Sequence, residues 1–65
     1  MSQITEISGE VRLRRKELGL TQEELAIMCG VSRRLIIDFE NGKNTISLDR
    51  LLLITQTLGL TLKVV

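Results

Sequence analysis

Residues 21–42, Thr21-Gln-Glu-Glu-Leu-Ala-Ile-Met-Cys-Gly-Val-Ser-Arg-Arg-Leu-Ile-Ile-Asp-Phe-Glu-Asn-Gly42, decide the fold, because they read as two short helices joined by a tight turn. Thr21 is placed to cap the first helix, and Glu24, three residues later, completes a reciprocal capping box, which predicts a helix from Gln22 to about Cys29. Gly30 supplies the left-handed residue that ends it. Ser32 is a second N-cap and predicts a helix from Arg33 to about Glu40, stopped by Asn41 and Gly42. Leu25, Val31, Ile36 and Phe39 form the shared apolar seam, and Ala26 faces the partner helix where anything larger than a methyl would push the pair apart.

Caps, glycine stops and apolar faces occur in any small helical domain, including helical hairpins that never touch nucleic acid. The joint spacing is the discriminating feature: small Ala26, the turn glycine four positions on, an aliphatic residue directly after it, then Ile36 and Phe39. With arginines opening the second helix, this is the layout of a helix-turn-helix DNA reader.

Outside that stretch, Ile7, Val11 and Leu18 recur at helical spacing with Arg15 on the same stripe, so a helix ends near Leu18 with Gly19 as its stop. Its start has two readings. Either Ser8 is the N-cap, or the helix begins near Ile4 and tolerates Gly9 at about 1 kcal/mol. After the loop from Asn41 to Ile46, Ser47 is the N-cap of a further helix that runs through Leu48, Leu51, Leu52, Thr55 and Leu58 to Gly59, with Asp49 in its first turn. The pattern then changes: Leu60, Thr61, Leu62, Lys63, Val64 and Val65 alternate with period two and are rich in β-branched residues, a strand signal. A lone strand needs a partner edge, and nothing else in the chain reads as one. The expectation is an all-α domain of four to five helices over residues 1–59, with residues 60–65 as a short β-strand that pairs with its copy across a dimer two-fold.

Sixty-five residues make one domain, which buries only about 60% of its unfolded surface and so invites help from a second copy. Nine Lys and Arg against eight Asp and Glu leave +1, too little for binding nucleic acid by bulk charge, so the distribution must matter. Arg12, Arg14, Arg15, Lys16, Arg33, Arg34 and Lys43 fall on the first helix, the second helix of the motif and the loop after it. Cys29 stands alone and there is no histidine, which excludes an intrachain disulfide and a zinc site; no metal or other cofactor is expected. No apolar run reaches membrane-spanning length and no export signal is read, so the expected location is the cytoplasm. No set of nucleophile, base and orienting group can be assembled, and the chain is read as no enzyme.

The chain resembles the phage-repressor-type (Xre) helix-turn-helix family from Val11 to Leu60, through VRLRRKELGLTQEELAIMCGVS, IIDFENGK, SLDRLL and TLGL. The resemblance implies that Arg15 pairs inside the domain with Glu40, which closes the recognition helix. It also implies base contacts from Arg33 and Arg34, where an arginine can bond the O6 and N7 of guanine in the major groove. Asp38 lies one turn further along that face; longer amides are frequent there, so this carboxylate is a departure that either accepts from a cytosine amine or orients Arg34. Ile37 faces outward in the same register, toward a thymine methyl. Gln22 matches the family's phosphate anchor, and Ser32, Asn41, Lys43, Asn44 and Thr45 match further phosphate contacts. The implied partner is double-stranded DNA with a palindromic operator, bound by a homodimer with its reading helices about 34 Å apart.

Within that family the terminal strand is similar to the HipB-like proteins, antitoxins that repress their own toxin–antitoxin operon and hold a kinase-like toxin. Leu13 and Leu53, aliphatic where polar residues are usual, fit such a partner. A free-standing phage-type repressor and a restriction–modification controller share the same motif. An interaction module without DNA binding predicts loss of the basic reading face, yet Arg33, Arg34 and Lys43 are all present.

Overall fold

The computed structural model describes residues 3–43 and 45–63. Four helices follow in order, α1 (Gln3–Glu17), α2 (Gln22–Cys29), α3 (Arg33–Glu40) and α4 (Leu48–Thr57). Local chemistry sets the α2 and α3 boundaries. Thr21 Oγ1 accepts from the Glu24 N–H at 3.0 Å while Glu24 Oε1 accepts from the Thr21 N–H at 2.9 Å, so the capping box is complete. Gly30 turns left-handed at φ 73°, and the Val31 N–H then donates back to the Ala26 carbonyl at 3.0 Å. Ser32 caps α3 by accepting from the Leu35 N–H at 3.1 Å, and Ser47 caps α4 in the same way through the Arg50 N–H at 3.3 Å.

The core is made by one face of each helix. Val11 comes from α1, Leu25 and Ala26 from α2, Ile36 and Phe39 from α3, Leu51 and Ile54 from α4 and Leu58 from its C-cap, all buried. Val31 is half-buried and packs against this cluster. Ala26 lies at 3% exposure, where the short side chain lets α2 approach its neighbours. Arg14 donates its Nε–H to the Leu58 carbonyl at 3.0 Å, a cation on the carboxyl end of α4 that ties the first helix to the last.

One open reading is decided and two expectations are corrected. Of the two readings of the α1 start, the earlier one holds: α1 begins at Gln3 and carries Gly9 in its interior, and Ser8 is a buried helix residue that donates to the Thr5 carbonyl at 3.0 Å. Leu18 leaves the apolar stripe, because the helix stops at Glu17 and the turn through Gly19 (φ 71°) carries Leu18 out to 46% exposure. The C-terminal strand is absent among the described residues: Leu60 to Lys63 form no ladder, for the single chain offers no second edge. The period-two pattern still orders the segment, with Leu60 and Leu62 packed on the core and Thr61 and Lys63 exposed. Leu60 is held to α4 by its N–H on the Thr55 carbonyl at 2.8 Å, while Val64 and Val65 lie outside the described residues. No helix among the described residues is long and apolar enough to cross a membrane.

Candidate nucleic-acid interface

Burying Ile36 and Phe39 turns the opposite side of α3 to solvent. Arg33 and Arg34, the first two residues of α3, are both exposed, and Ile37 and Asp38 follow as half-buried residues. Asp38 does not stand free: its Oδ1 is 3.4 Å from Arg34 Nε and 3.5 Å from Lys43 Nζ, so one carboxylate oxygen faces two cations. Arg33 has no ion-pair partner among the described residues. An open cleft of ≈ 250 Å³ lies beside this cluster, between the amino end of α3 and the following loop, with Ser32, Arg34, Asp38, Lys43 and Thr45 on its polar side and Leu35, Phe39 and Ile46 beneath.

The back of α3 is held by a second polar cluster. Arg15 Nε donates to Glu40 Oε2 at 2.7 Å and Arg15 Nη2 to Glu40 Oε1 at 3.0 Å, a bidentate pair with both side chains almost fully buried. Arg15 Nη1 also donates to the Leu20 carbonyl at 2.7 Å, and Gln22 Nε2 donates to Glu40 Oε1 at 3.2 Å. No buried side-chain nitrogen or oxygen among the described residues lacks a hydrogen bond. The carboxyl end of α3, the amino end of α2 and the carboxyl half of α1 are thus fixed to one another by charge-assisted bonds.

This geometry redistributes the cations of α1. Arg15 is consumed by Glu40 and Arg14 by the end of α4, which leaves Arg12 and Lys16 as the exposed cations of that helix. Gln22 is half-buried with one amide N–H on Glu40, Asn41 and Thr45 are exposed beside the α3 end, and Asn44 lies outside the described residues. The Asp38–Lys43 pair escapes sequence reasoning, because Lys43 lies past the helix end where periodicity fixes no direction. Among the described residues no group of three or more His, Cys, Asp and Glu side chains is arranged to hold a metal ion.

A helix-turn-helix family model matches residues 11–65, which includes α2, the Gly30 turn and α3. The chain belongs to the Xre-type helix-turn-helix family. This regulator is similar to the HTH-type transcriptional regulator y4mF of Sinorhizobium fredii, 42% identical over 59 residues that cover 91% of this chain and 78% of that protein. It is also similar to an HTH-type transcriptional regulator of Methanothermobacter thermautotrophicus, 58% identical over 38 residues, 58% of this chain and 55% of that protein. In this helix-turn-helix regulator, α2 and α3 are the paired helices of the motif, and α3 is the one that presents arginines to solvent.

Proposed function

We propose that this helix-turn-helix regulator is a sequence-specific repressor that binds double-stranded DNA as a homodimer at a palindromic operator. The observation that carries the reading is the exposure of Arg33 and Arg34 in the first turn of a helix whose other side is buried by Ile36 and Phe39. Such a helix enters the major groove with its amino end toward the base edges, where each guanidinium makes paired bonds to guanine and Ile37 and Asp38 face the neighbouring base pairs. Gln22, Ser32, Asn41, Lys43, Asn44 and Thr45 bond phosphates and set the register. For Gln22, Glu40 fixes the amide and leaves its second N–H for that contact. Two copies spaced one DNA turn apart read two half-sites, and residues 60–65 supply the contact between copies, with the backbone of residues 61–63, which has no hydrogen-bond partner among the described residues, as the edge that a second copy covers.

The test is a titration of the protein on a duplex enriched from a random pool and on its scrambled sequence at several salt concentrations. A preference of 10³-fold or more for the enriched duplex, with an affinity that falls steeply with salt, is the expected result. Equal affinity for both sequences overturns the reading.

Leu13, 56% exposed, and Leu53, 45% exposed, favour a more specific reading as the antitoxin and autoregulator of a HipBA-like operon, with these residues against a kinase-like toxin. A kinase-like protein encoded next to this chain should then co-elute with it, and Leu13→Glu with Leu53→Glu should abolish co-elution while DNA binding persists. Absence of such a neighbour returns the reading to a free-standing phage-type repressor or a restriction–modification controller.

A further inference from the structure

We propose that Asp38 is a specificity-determining residue which holds Arg34 and Lys43 on one carboxylate oxygen and thereby rejects DNA that presents guanine or thymine, in place of cytosine or adenine, at the base Asp38 faces beside the guanine read by Arg34. The proposal rests on the reading of α3 as the major-groove helix and names the sequence class that this site selects. Its first support is the shared geometry, Arg34 Nε at 3.4 Å and Lys43 Nζ at 3.5 Å from Asp38 Oδ1. Its second is the contrast in exposure: the Asp38 side chain is 28% exposed, against 75% for Arg34 and 58% for Lys43, so the carboxylate is the more buried member and the cations extend into solvent.

Two consequences follow from the chemistry. Arg34 approaches Asp38 most closely through Nε, at 3.4 Å and with its side chain 75% exposed, so its terminal amino groups can turn to the bidentate fork that guanine O6 and N7 accept. The closest approach of both cations is to Asp38 Oδ1, and a carboxylate has about four acceptor sites and no donor, so Asp38 retains the capacity to accept hydrogen bonds only. In the major groove the donors it can meet are the N4 amine of cytosine and the N6 amine of adenine. Facing guanine O6/N7 or thymine O4, the same oxygen meets another acceptor, is desolvated without a partner and opposes binding.

The carboxylate also acts without reading any base. It offsets part of the charge that Arg34 and Lys43 bring to the phosphates, so fewer counterions are released on random DNA than two free cations would release. Non-specific affinity is thereby held down while the matched site, which supplies a donor to Asp38, keeps its full affinity. A chain of net charge +1 that discriminates sequence benefits from such a filter more than from added positive charge.

The experiment compares wild type, Asp38→Asn and Asp38→Glu on the enriched duplex, on variants of it at the pair next to the Arg34 guanine, and on scrambled duplex, across a salt series. Asp38→Asn should bind scrambled DNA about tenfold more tightly, steepen the slope of log K against log salt by about one unit, and cut discrimination at that base pair about tenfold. Asp38→Glu keeps the charge and should keep the wild-type slope on scrambled DNA. Lys43→Ala should flatten the slope less in wild type than in the Asp38→Asn background. Should Asp38→Asn melt early, Asp38→Ser on the same surface position gives the same readouts. An unchanged slope together with unchanged discrimination overturns the proposal while the enriched duplex still binds; failure of the wild type to prefer any duplex overturns the major-groove reading and this inference with it.

Discussion

Glu40→Ala removes the acceptor of three hydrogen bonds, two from Arg15 and one from Gln22, and leaves Arg15, a residue 8% exposed in the wild type, with the Leu20 carbonyl as its remaining partner. Loss of one member of a buried pair costs about 3 to 5 kcal/mol, chiefly because the other charge stays desolvated without compensation. A domain of 65 residues at about 0.05 to 0.15 kcal/mol per residue has roughly 3 to 10 kcal/mol in total, so the single substitution should remove about a third of the stability or more. The double variant Arg15→Met/Glu40→Leu behaves differently. It removes both charges and fills the space with apolar atoms, so it should match wild type or exceed it by about 1 to 4 kcal/mol. Urea unfolding followed by circular dichroism reads the difference through the midpoint at constant slope. Arg15→Met and Glu40→Leu costs that simply add in the double variant, with no coupling, would refute the assignment of this pair as a mutually dependent buried unit.

Gly9→Ala should stabilise the chain by about 0.5 to 1 kcal/mol, since Gly9 lies inside α1 with nothing within 4 Å of an added Cβ; a lowered thermal midpoint would contradict the helical placement. Gly30→Ala should lower stability by about 1 to 2 kcal/mol although its Cβ also meets nothing, because φ is +73° there, and a neutral result would argue against the left-handed turn. Ala26→Leu, at 3% exposure between packed helices, should cost about 1 to 3 kcal/mol by overpacking, read from the same urea midpoint. The Glu24 carboxyl is held below its usual 4.5 by the hydrogen bond from the Thr21 backbone N–H and then by the Thr21 side chain. A folded-state pKa below the unfolded one gives stability that is present above the unfolded value and lost as pH falls through the folded one. Glu24→Gln should therefore weaken the dependence of thermal stability on pH below 4.5, and an identical acid profile in both proteins would count against the capping box.

The motif was legible because its boundaries rest on local chemistry. Thr21, Glu24, Gly30 and Ser32 each act on backbone groups within five residues, so their spacing alone fixes α2, the turn and the start of α3. The long-range Arg15–Glu40 pair came from family resemblance, since no spacing rule connects residues 25 apart. The Arg14 bond to Leu58 left no trace in periodicity because it depends on how one helix meets a distant one, and the Lys43 approach to Asp38 left none because it forms in the turn past the α3 end, where the Lys43 N–H donates to the Asp38 carbonyl. The terminal segment misled in a specific way: alternation in residues 60–63 was correctly a sign of one buried side, but the partner of that side within the chain is the helical core. Leu18 failed for a related reason, as apolar spacing continued one residue past the helix that generated it.

The reading surface itself is tested most directly by following backbone amide and arginine side-chain NMR signals of labelled protein as the enriched duplex is added. Large shifts are expected at Gln22, at Ser32 through Asp38 and at Lys43, with the Arg33 and Arg34 guanidinium signals among the most affected. Shifts confined to α1 and residues 60–63, with both guanidinium signals unmoved, would contradict the assignment of this surface.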